Sequence, residues 1–314
     1  MDKFAAKINR VPVTIAPKPA AVEDEITKQK REAREFISKS HPYPNTYSNR
    51  GIVMCAGGWK YLPGAWITIN MLRRFGCKLP IQIWHFGEKE APKNVQEIFN
   101  NLGVTWIDIE EVKKVHPMDN LRGWEAKPYS IVYSPYQEVL YLDADNLPVK
   151  NPEFLFDDVK YKALGAMFWP DFNRLGSDRP IWGICDITYR DEPEFESGQI
   201  LVNKAKCWKA LMLTLFYNER SPFYYKYVHG DKETYHLAWR RLNQPYMMCP
   251  IMKGIDSTMV QHDPSGAVIF QHRNMDKWSL TNKNKVINGF KFESECRELL
   301  TILSNKVIDQ RIKV

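Results

Sequence analysis

Short apolar runs alternate along this chain with longer stretches of helical period. Residues 51–56 (GIVMCA), 81–86 (IQIWHF), 104–109 (VTWIDI) and 138–142 (EVLYL) are rich in β-branched and aromatic side chains, which predicts buried strands. Between them, 59–75 carries apolar residues at helical spacing and stops at Gly76, a helix C-cap. Residues 92–101 (PKNVQEIFNN) predict a short helix, and 129–134 belong to another that Pro135 closes. Strands alternating with helices predict right-handed βαβ units, hence an α/β fold with a Rossmann-like, mainly parallel sheet and helices on both faces. Nucleotides bind such sheets at the carboxyl ends of the strands, where the βα loops diverge.

The two ends of the chain differ from this pattern. Residues 1–50 are dominated by Lys, Glu, Ala and Pro, with one mixed-charge helical stretch at 23–38 and a Pro/Tyr/Asn-rich link at 41–50. They read as an N-terminal helical extension to a domain spanning 51–314. In the second half, 163–169 (ALGAMFW) and 199–202 (QILV) are strand-like. Residues 170–194 between them are too long for a plain connector and predict a binding loop. Residues 204–219, 232–242 and 292–305 predict helices, and 258–263 and 267–272 flank Pro264-Ser265-Gly266 as a hairpin.

Composition narrows the function classes. With 44% hydrophobic residues in 314, the chain can bury a large core. The net charge of +7 suits a polyanionic ligand such as a nucleoside diphosphate. No dense Lys/Arg run accompanies it, so nucleic acid is not an expected partner. The six cysteines include no C-x-x-C pair. That argues against a zinc ribbon and for reduced thiols in a cytosol-like compartment. No N-terminal apolar run reaches the length of a signal peptide or membrane span, so a cytoplasmic location without a transmembrane anchor is expected.

The chemistry concentrates at the end of the fourth apolar run, EVLYLDADNLPVKNPEFLF. Asp143 and Asp145, separated by Ala144, project to one side of an extended backbone. Hard cations such as Mg2+ or Mn2+ take oxygen ligands and bridge phosphate oxygens, so the pair can hold the metal of a nucleotide diphosphate. Cys55, Ala56, Gly57 and Gly58 form the first strand-to-helix junction. Small residues there let a nucleotide approach the backbone, and helix N-terminal amides favour anions. The junction is no G-x-G-x-x-G, which argues against a dinucleotide.

In this context YLDADNLPVKNPEFLF resembles the metal-binding strand of GT-A glycosyltransferases. Within them it is similar to the fungal α-mannosyltransferase family that builds side branches on cell-wall mannan, and more distantly to the glycogenin-like transferases. GIVMCAGG (51–58), LPIQIWHFG (79–87), ESGQILVNK (196–204), GDKET (230–234) and FQHRNMDKW (270–278) carry the likeness in order. It implies a GT-A fold and a metal-dependent, retaining transfer of a hexose from a nucleotide sugar to a hydroxyl on a glycan or glycoprotein. GDP-mannose is the implied donor, with a UDP-hexose or modified DNA as alternative donor and acceptor. A catalytically inactive glycan- or nucleotide-binding protein is the alternative of another class. A sugar nucleotidyltransferase would need an early G-x-G-T-R-L loop, which 51–60 lacks.

The resemblance also distributes roles. His272 matches the histidine that completes the metal site beside the Asp pair, with His262 as its rival; neutral imidazole suits Mn2+-type ions. Lys277 matches a lysine that touches the diphosphate, where Arg273 could serve instead. Lys127 stands where relatives place a basic residue near the donor's phosphates, or is a helix-surface lysine. Glu196 and Gln199 would offer hydroxyl contacts, with Ser197 and Gly198 letting a sugar lie against the backbone. Asp231 is either a helix cap or a group at the sugar or acceptor hydroxyl, with Lys232 beside it. Trp59, Trp124, Trp169 and Trp182 could stack on sugars, Trp169 and Trp182 being favoured because they flank the 170–194 loop.

Overall fold

A computed structural model describes residues 23–250, 252–256 and 258–314. The first 22 residues of the expected extension lie outside the described residues. Eight strands are decided by the runs read above and their neighbours: β1 Ser48–Cys55, β2 Ile81–His85, β3 Val104–Asp108, β4 Tyr136–Leu142, β5 Asn146–Pro148, β6 Ala166–Pro170, β7 Phe195–Asn203 and β8 Met247–Met248. Three more follow: β9 Met252–Ile255, β10 Thr258–His262 and β11 Val268–His272.

The main sheet has seven strands in the order β3-β2-β1-β4-β7-β6-β8. Its first four run parallel, while β7 is antiparallel to both β4 and β6. Side chains alternate between faces with period two, and both faces are covered. Ile52, Met54, Leu140 and Leu142 enter one core, with Leu62 and Leu72 of helix Leu62–Arg74 and Leu299 and Leu303 of helix Glu293–Asp309. Val53, Val139 and Tyr141 enter the other, under helices Ala126–Tyr133, Lys204–Glu219 and Asp231–Arg241. The expected α/β class and mainly parallel sheet are therefore present.

Several boundaries differ from the sequence pattern for local reasons. β1 begins at Ser48 because Ser48 and Arg50 pair with Tyr136 and Glu138 of β4, an edge sealed by the Arg50–Glu138 ion pair at 2.8 Å. The run 163–169 splits. Helix Val159–Leu164 ends at Gly165, whose φ of +84° suits glycine, and β6 starts only afterwards. β7 is longer than 199–202 because it is paired on both sides. The hairpin at Pro264-Ser265-Gly266 forms as β10–β11. It belongs to a second sheet, β5-β11-β10-β9, that the pattern did not reveal. Helix Glu25–Ser38 packs on the 170–194 segment, where Lys30 and Arg34 meet Asp186 at 3.3 and 2.7 Å. Among the described residues no helix is long and apolar enough to cross a membrane.

Candidate active site

β4 delivers its chain end to the site. After Leu142 the backbone turns sharply: Asp143 N–H donates to the Gly198 carbonyl at 2.8 Å, and Asn146 N–H donates to the Asp143 carbonyl at 3.0 Å. The turn folds Asp145 back beside Asp143. β5 then pairs with β11 so that His272 stands opposite Asn146. Two sheets thus converge, and one ligand atom each from Asp143, Asp145 and His272 falls within 4.8 Å of the others. His272 Nε2 lies 3.3 Å from Asp145 and 3.8 Å from Asp143. Its Nδ1 approaches Glu196 Oε1 at 3.2 Å, the arrangement in which a carboxylate orients a metal-binding imidazole.

The surrounding charges are tightly matched. Lys127 Nζ donates to Asp143 at 2.8 Å and to Ser197 Oγ at 3.2 Å, and lies 3.9 Å from Asp231. Lys277 Nζ contacts Asp145, and Tyr141 OH donates to Asp143 at 3.0 Å. Burial alone would lower the His272 pKa, yet the Asp145 and Glu196 carboxylates raise it to about 10. Burial opposes ionisation of Asp145, but His272 and Lys277 hold its carboxyl well below the usual range. Lys127 is buried, which disfavours its charge, and Asp143 and Asp231 overcome this. Burial pushes Asp231 up to about 6, with Lys127 opposing and Asp143 assisting. Two carboxylates and an imidazole, with only protonated side chains balancing their charge, form a donor set that fits a hard divalent cation.

A cavity of about 740 Å³ opens onto this trio. Cys55, Ala56 and Gly57 form one wall, Ala126 and Lys127 another, and Lys60, Arg122 and Lys277 bring positive charge. Gly57 has a packing role as well: a Cβ there would lie 1.9 Å from the Glu90 carboxylate, which receives the Phe86 N–H at 2.9 Å. Gly58 does not line the cavity. It sits at φ +69° and closes the turn by donating its N–H to the Glu90 carbonyl. Ala144 is buried at the cavity floor, and its carbonyl accepts from Thr68 at 3.0 Å. The thiol of Cys55 is pushed up to about 11 by burial, so it is inert packing.

A second cavity of about 690 Å³ adjoins the first and takes Glu196, Ser197, Asp231 and Lys232 in its wall. Asp231 does not cap its helix. Gly230 is the N-cap, and Glu233 reaches back to the His229 and Gly230 N–H groups at 3.2 and 3.1 Å. Asp231 Oδ2 is instead buried and receives no hydrogen bond.

Other expected contacts are not made. Gln199 is fully buried and accepts from Asn146 Nδ2, because its position on β7 points away from Glu196 and the cavities. Arg273 is bound to Glu293 at 2.6 Å and stacks 3.8 Å over Trp278, so it ties down its own loop. His262 ends β10 outside the trio, its carbonyl receiving the Trp169 indole N–H at 2.8 Å. Trp169 and Trp182 are core residues, and Trp59 donates to the Lys313 carbonyl at 2.9 Å. Of these four, Trp124 alone lines the cavities; Trp84, which the sequence did not single out, also lines the first. Tyr141 was missed, although its place two residues before Asp143 on a strand puts it on the same side. Asp171 and Glu194 carried no sequence signal, since folding of the long loop brings them to Lys232.

Gly198 lies against the trio itself. A Cβ there would lie 2.4 Å from His272 Cε1 and 2.6 Å from Glu196 Oε1. Gly198→Ala is expected to lower stability by about 1–3 kcal/mol and to weaken Mn2+ binding at least tenfold by displacing the imidazole. Thermal melts with and without Mn2+ separate the two effects.

The family described as "Mannosyltransferase putative" matches residues 49–182 and 187–284. The chain belongs to this mannosyltransferase family. Every candidate residue named above lies in the matched segments. Among its curated relatives, Alpha-1,2-mannosyltransferase MNN2 of Candida albicans is 24% identical over 286 residues, covering 73% of this chain and 47% of the relative. Alpha-1,2-mannosyltransferase MNN5 of Saccharomyces cerevisiae is 27% identical over 286 residues, covering 71% and 48%. The chain thus spans about half the length of the curated relatives it matches. A solved core-mannan synthase (CmsA/Ktr4) of Aspergillus fumigatus, in its Mn/GDP form, aligns with TM-score 0.45 and 8% identity over 68% of this chain and 75% of its own.

Proposed function

We propose that the chain is a metal-dependent mannosyltransferase that moves mannose from GDP-mannose, with retention, to a hydroxyl of a glycan. The observation that carries this reading is the Asp143–Asp145–His272 trio opening onto a cavity that Lys60, Arg122, Lys127 and Lys277 also line, in a chain of a mannosyltransferase family. A bound divalent cation would supply charge stabilisation for the departing diphosphate. Asp143, Asp145 and His272 would be its ligands. Lys277 and Lys127, which pair with these carboxylates, would then be able to turn to the donor's phosphates. In the transfer, the bond from the sugar's C1 to the phosphate oxygen breaks with its electron pair going to the departing diphosphate, the acceptor oxygen bonds to C1, and the acceptor's hydroxyl proton passes to the Asp231 carboxylate. Asp231, a buried ionisable group whose Oδ2 accepts no hydrogen bond and lies 3.9 Å from Lys127, would bind the acceptor hydroxyl.

Thermal melts with GDP and UDP, each with and without Mn2+, test the reading. GDP at a hundredfold its Kd adds about 2.7 kcal/mol, a shift of several degrees, and the shift should require Mn2+. No metal-dependent stabilisation by either nucleotide would overturn the transferase reading, and a response to UDP alone would overturn the donor.

A further inference from the structure

The first cavity runs along the carboxyl ends of the main-sheet strands, and its two ends differ. At one stands the trio, on the chain leaving β4. At the other lie Trp84 and Phe86 at the end of β2 and Ile109 after β3. The sheet order β3-β2-β1-β4 sets β2 two strand spacings from β4, about 10 Å. A cation held by the trio would fix a nucleotide's diphosphate at the β4 end. Ribose and base would then extend towards β2, bringing the base among Trp84, Phe86 and Ile109.

One acidic group stands at that end. Glu90 lines the cavity beside Gly57 and is held at three points. Its N–H donates to the Gly87 carbonyl at 3.2 Å, its carbonyl accepts from the Gly58 N–H at 2.8 Å, and its Oε2 accepts from the Phe86 N–H at 2.9 Å. Gly57 lacks the Cβ that would collide with this carboxylate, so the turn after β1 is shaped around it. Of the other acids in the cavity wall, Asp143 pairs with Lys127 and Asp145 with Lys277. Glu125 stands two residues from Lys127 and accepts from the Gly123 N–H at 3.0 Å. Among the described residues Glu90 has no cation at ion-pair distance. Each carboxylate oxygen has two acceptor sites, so the Phe86 N–H leaves Oε1 and one site of Oε2 for a ligand.

A carboxylate beside a base edge is selective. Guanine presents two adjacent donors, N1–H and its 2-amino group, which match two carboxylate oxygens in a planar, charge-assisted pair. Uracil has a single N3–H between two carbonyls, whose lone pairs would face an acceptor-only group. Adenine sets an acceptor, N1, beside its amino group.

We propose that Glu90 selects guanine, its carboxylate accepting from N1–H and the 2-amino group of the donor's base. This role rests on the transferase reading. The metal site cannot make the choice, since GDP and UDP present the same diphosphate to it.

Isothermal titration of the full chain in Mn2+ with GDP, UDP or inosine diphosphate tests the role, inosine diphosphate being GDP without the 2-amino group. The wild type should bind GDP about tenfold or more tighter than inosine diphosphate, and UDP more weakly than GDP. Glu90→Gln keeps an acceptor for the Phe86 N–H but exchanges one oxygen for a donor. It should bring the ratio of GDP to inosine diphosphate affinity to about threefold or less, with the Mn2+ requirement intact. Glu125→Gln should leave that ratio at its wild-type value. Inosine diphosphate binding as tightly as GDP in the wild type would overturn the proposal without recourse to any variant. So would a ratio that survives Glu90→Gln, or one that Glu125→Gln alone abolishes. UDP binding more tightly than GDP would overturn both this role and the donor, and leave the metal-dependent transferase standing. Failure of every nucleoside diphosphate to bind with Mn2+ would overturn the transferase reading, and this role with it.

Discussion

Replacing Asp145 by alanine is expected to abolish metal-dependent stabilisation by GDP and to lower mannosyl transfer about a thousandfold or more. The second figure follows from the several kcal/mol that a cation contributes to transition-state charge, at about 1.4 kcal/mol per tenfold in rate. Asp145 is the more enclosed of the two aspartates and faces both His272 and Lys277. Without it, two cationic groups lose their partner and the metal loses a ligand. The pH dependence gives an independent check. With its pKa near 10, His272 carries a proton at neutral pH that must leave before the imidazole can bind a cation. The apparent Mn2+ affinity of the wild type should therefore rise by up to about tenfold per pH unit between pH 6 and 8. Isothermal titration with Mn2+ across that range reads both effects. An alanine variant with an unchanged Mn2+- and GDP-dependent shift would remove the aspartate pair from the site.

How much of this site was legible in the sequence depended on how far apart its parts lie. Asp143 and Asp145 could be read because one strand and one turn suffice to place them, and Tyr141 was readable by the same rule. Lys127 sits on the helix that precedes β4, but the resemblance, and not the periodicity, singled it out. His272 needed the second sheet, whose pairing of β5 with β11 has no local signature; the motif order, and not the periodicity, supplied it. Gln199 shows the opposite failure. ESGQ was treated as one contact surface, whereas a strand sends Glu196 and Gln199 to different faces. The Lys232 cluster was invisible for a different reason. Asp171 and Glu194 stand at the two ends of the 170–194 loop, and only the closure of that loop between β6 and β7 brings them together.

Asp231→Asn is expected to raise the stability of the ligand-free protein at pH 8 while lowering transfer a hundredfold or more. The carboxyl is buried, and burial raises its pKa to about 6 from an ordinary value near 3.8. Between those values the folded chain binds more protons than the unfolded one, so stability falls as pH rises through the window. The cost is complete above pH 7. A raised pKa of this size corresponds to about 3 kcal/mol at most. An asparagine removes that ionisation cost but leaves an amide with few partners, so a net gain of about 1–2 kcal/mol is expected at pH 8 and none at pH 4. Lys127 keeps Asp143 as its partner at 2.8 Å in the variant. Activity should move the other way, since an amide cannot take up the acceptor's proton and general-base assistance contributes about 10²–10⁴. Melting curves at pH 4 and pH 8, paired with transfer assays, decide the matter. A variant that melts lower at pH 8 would mean that the ionised carboxylate holds the fold together through Lys127, and would take Asp231 out of the reaction. A variant that melts higher yet transfers poorly would mean that the chain retains a buried charge its fold does not need, next to the one wall that both cavities share.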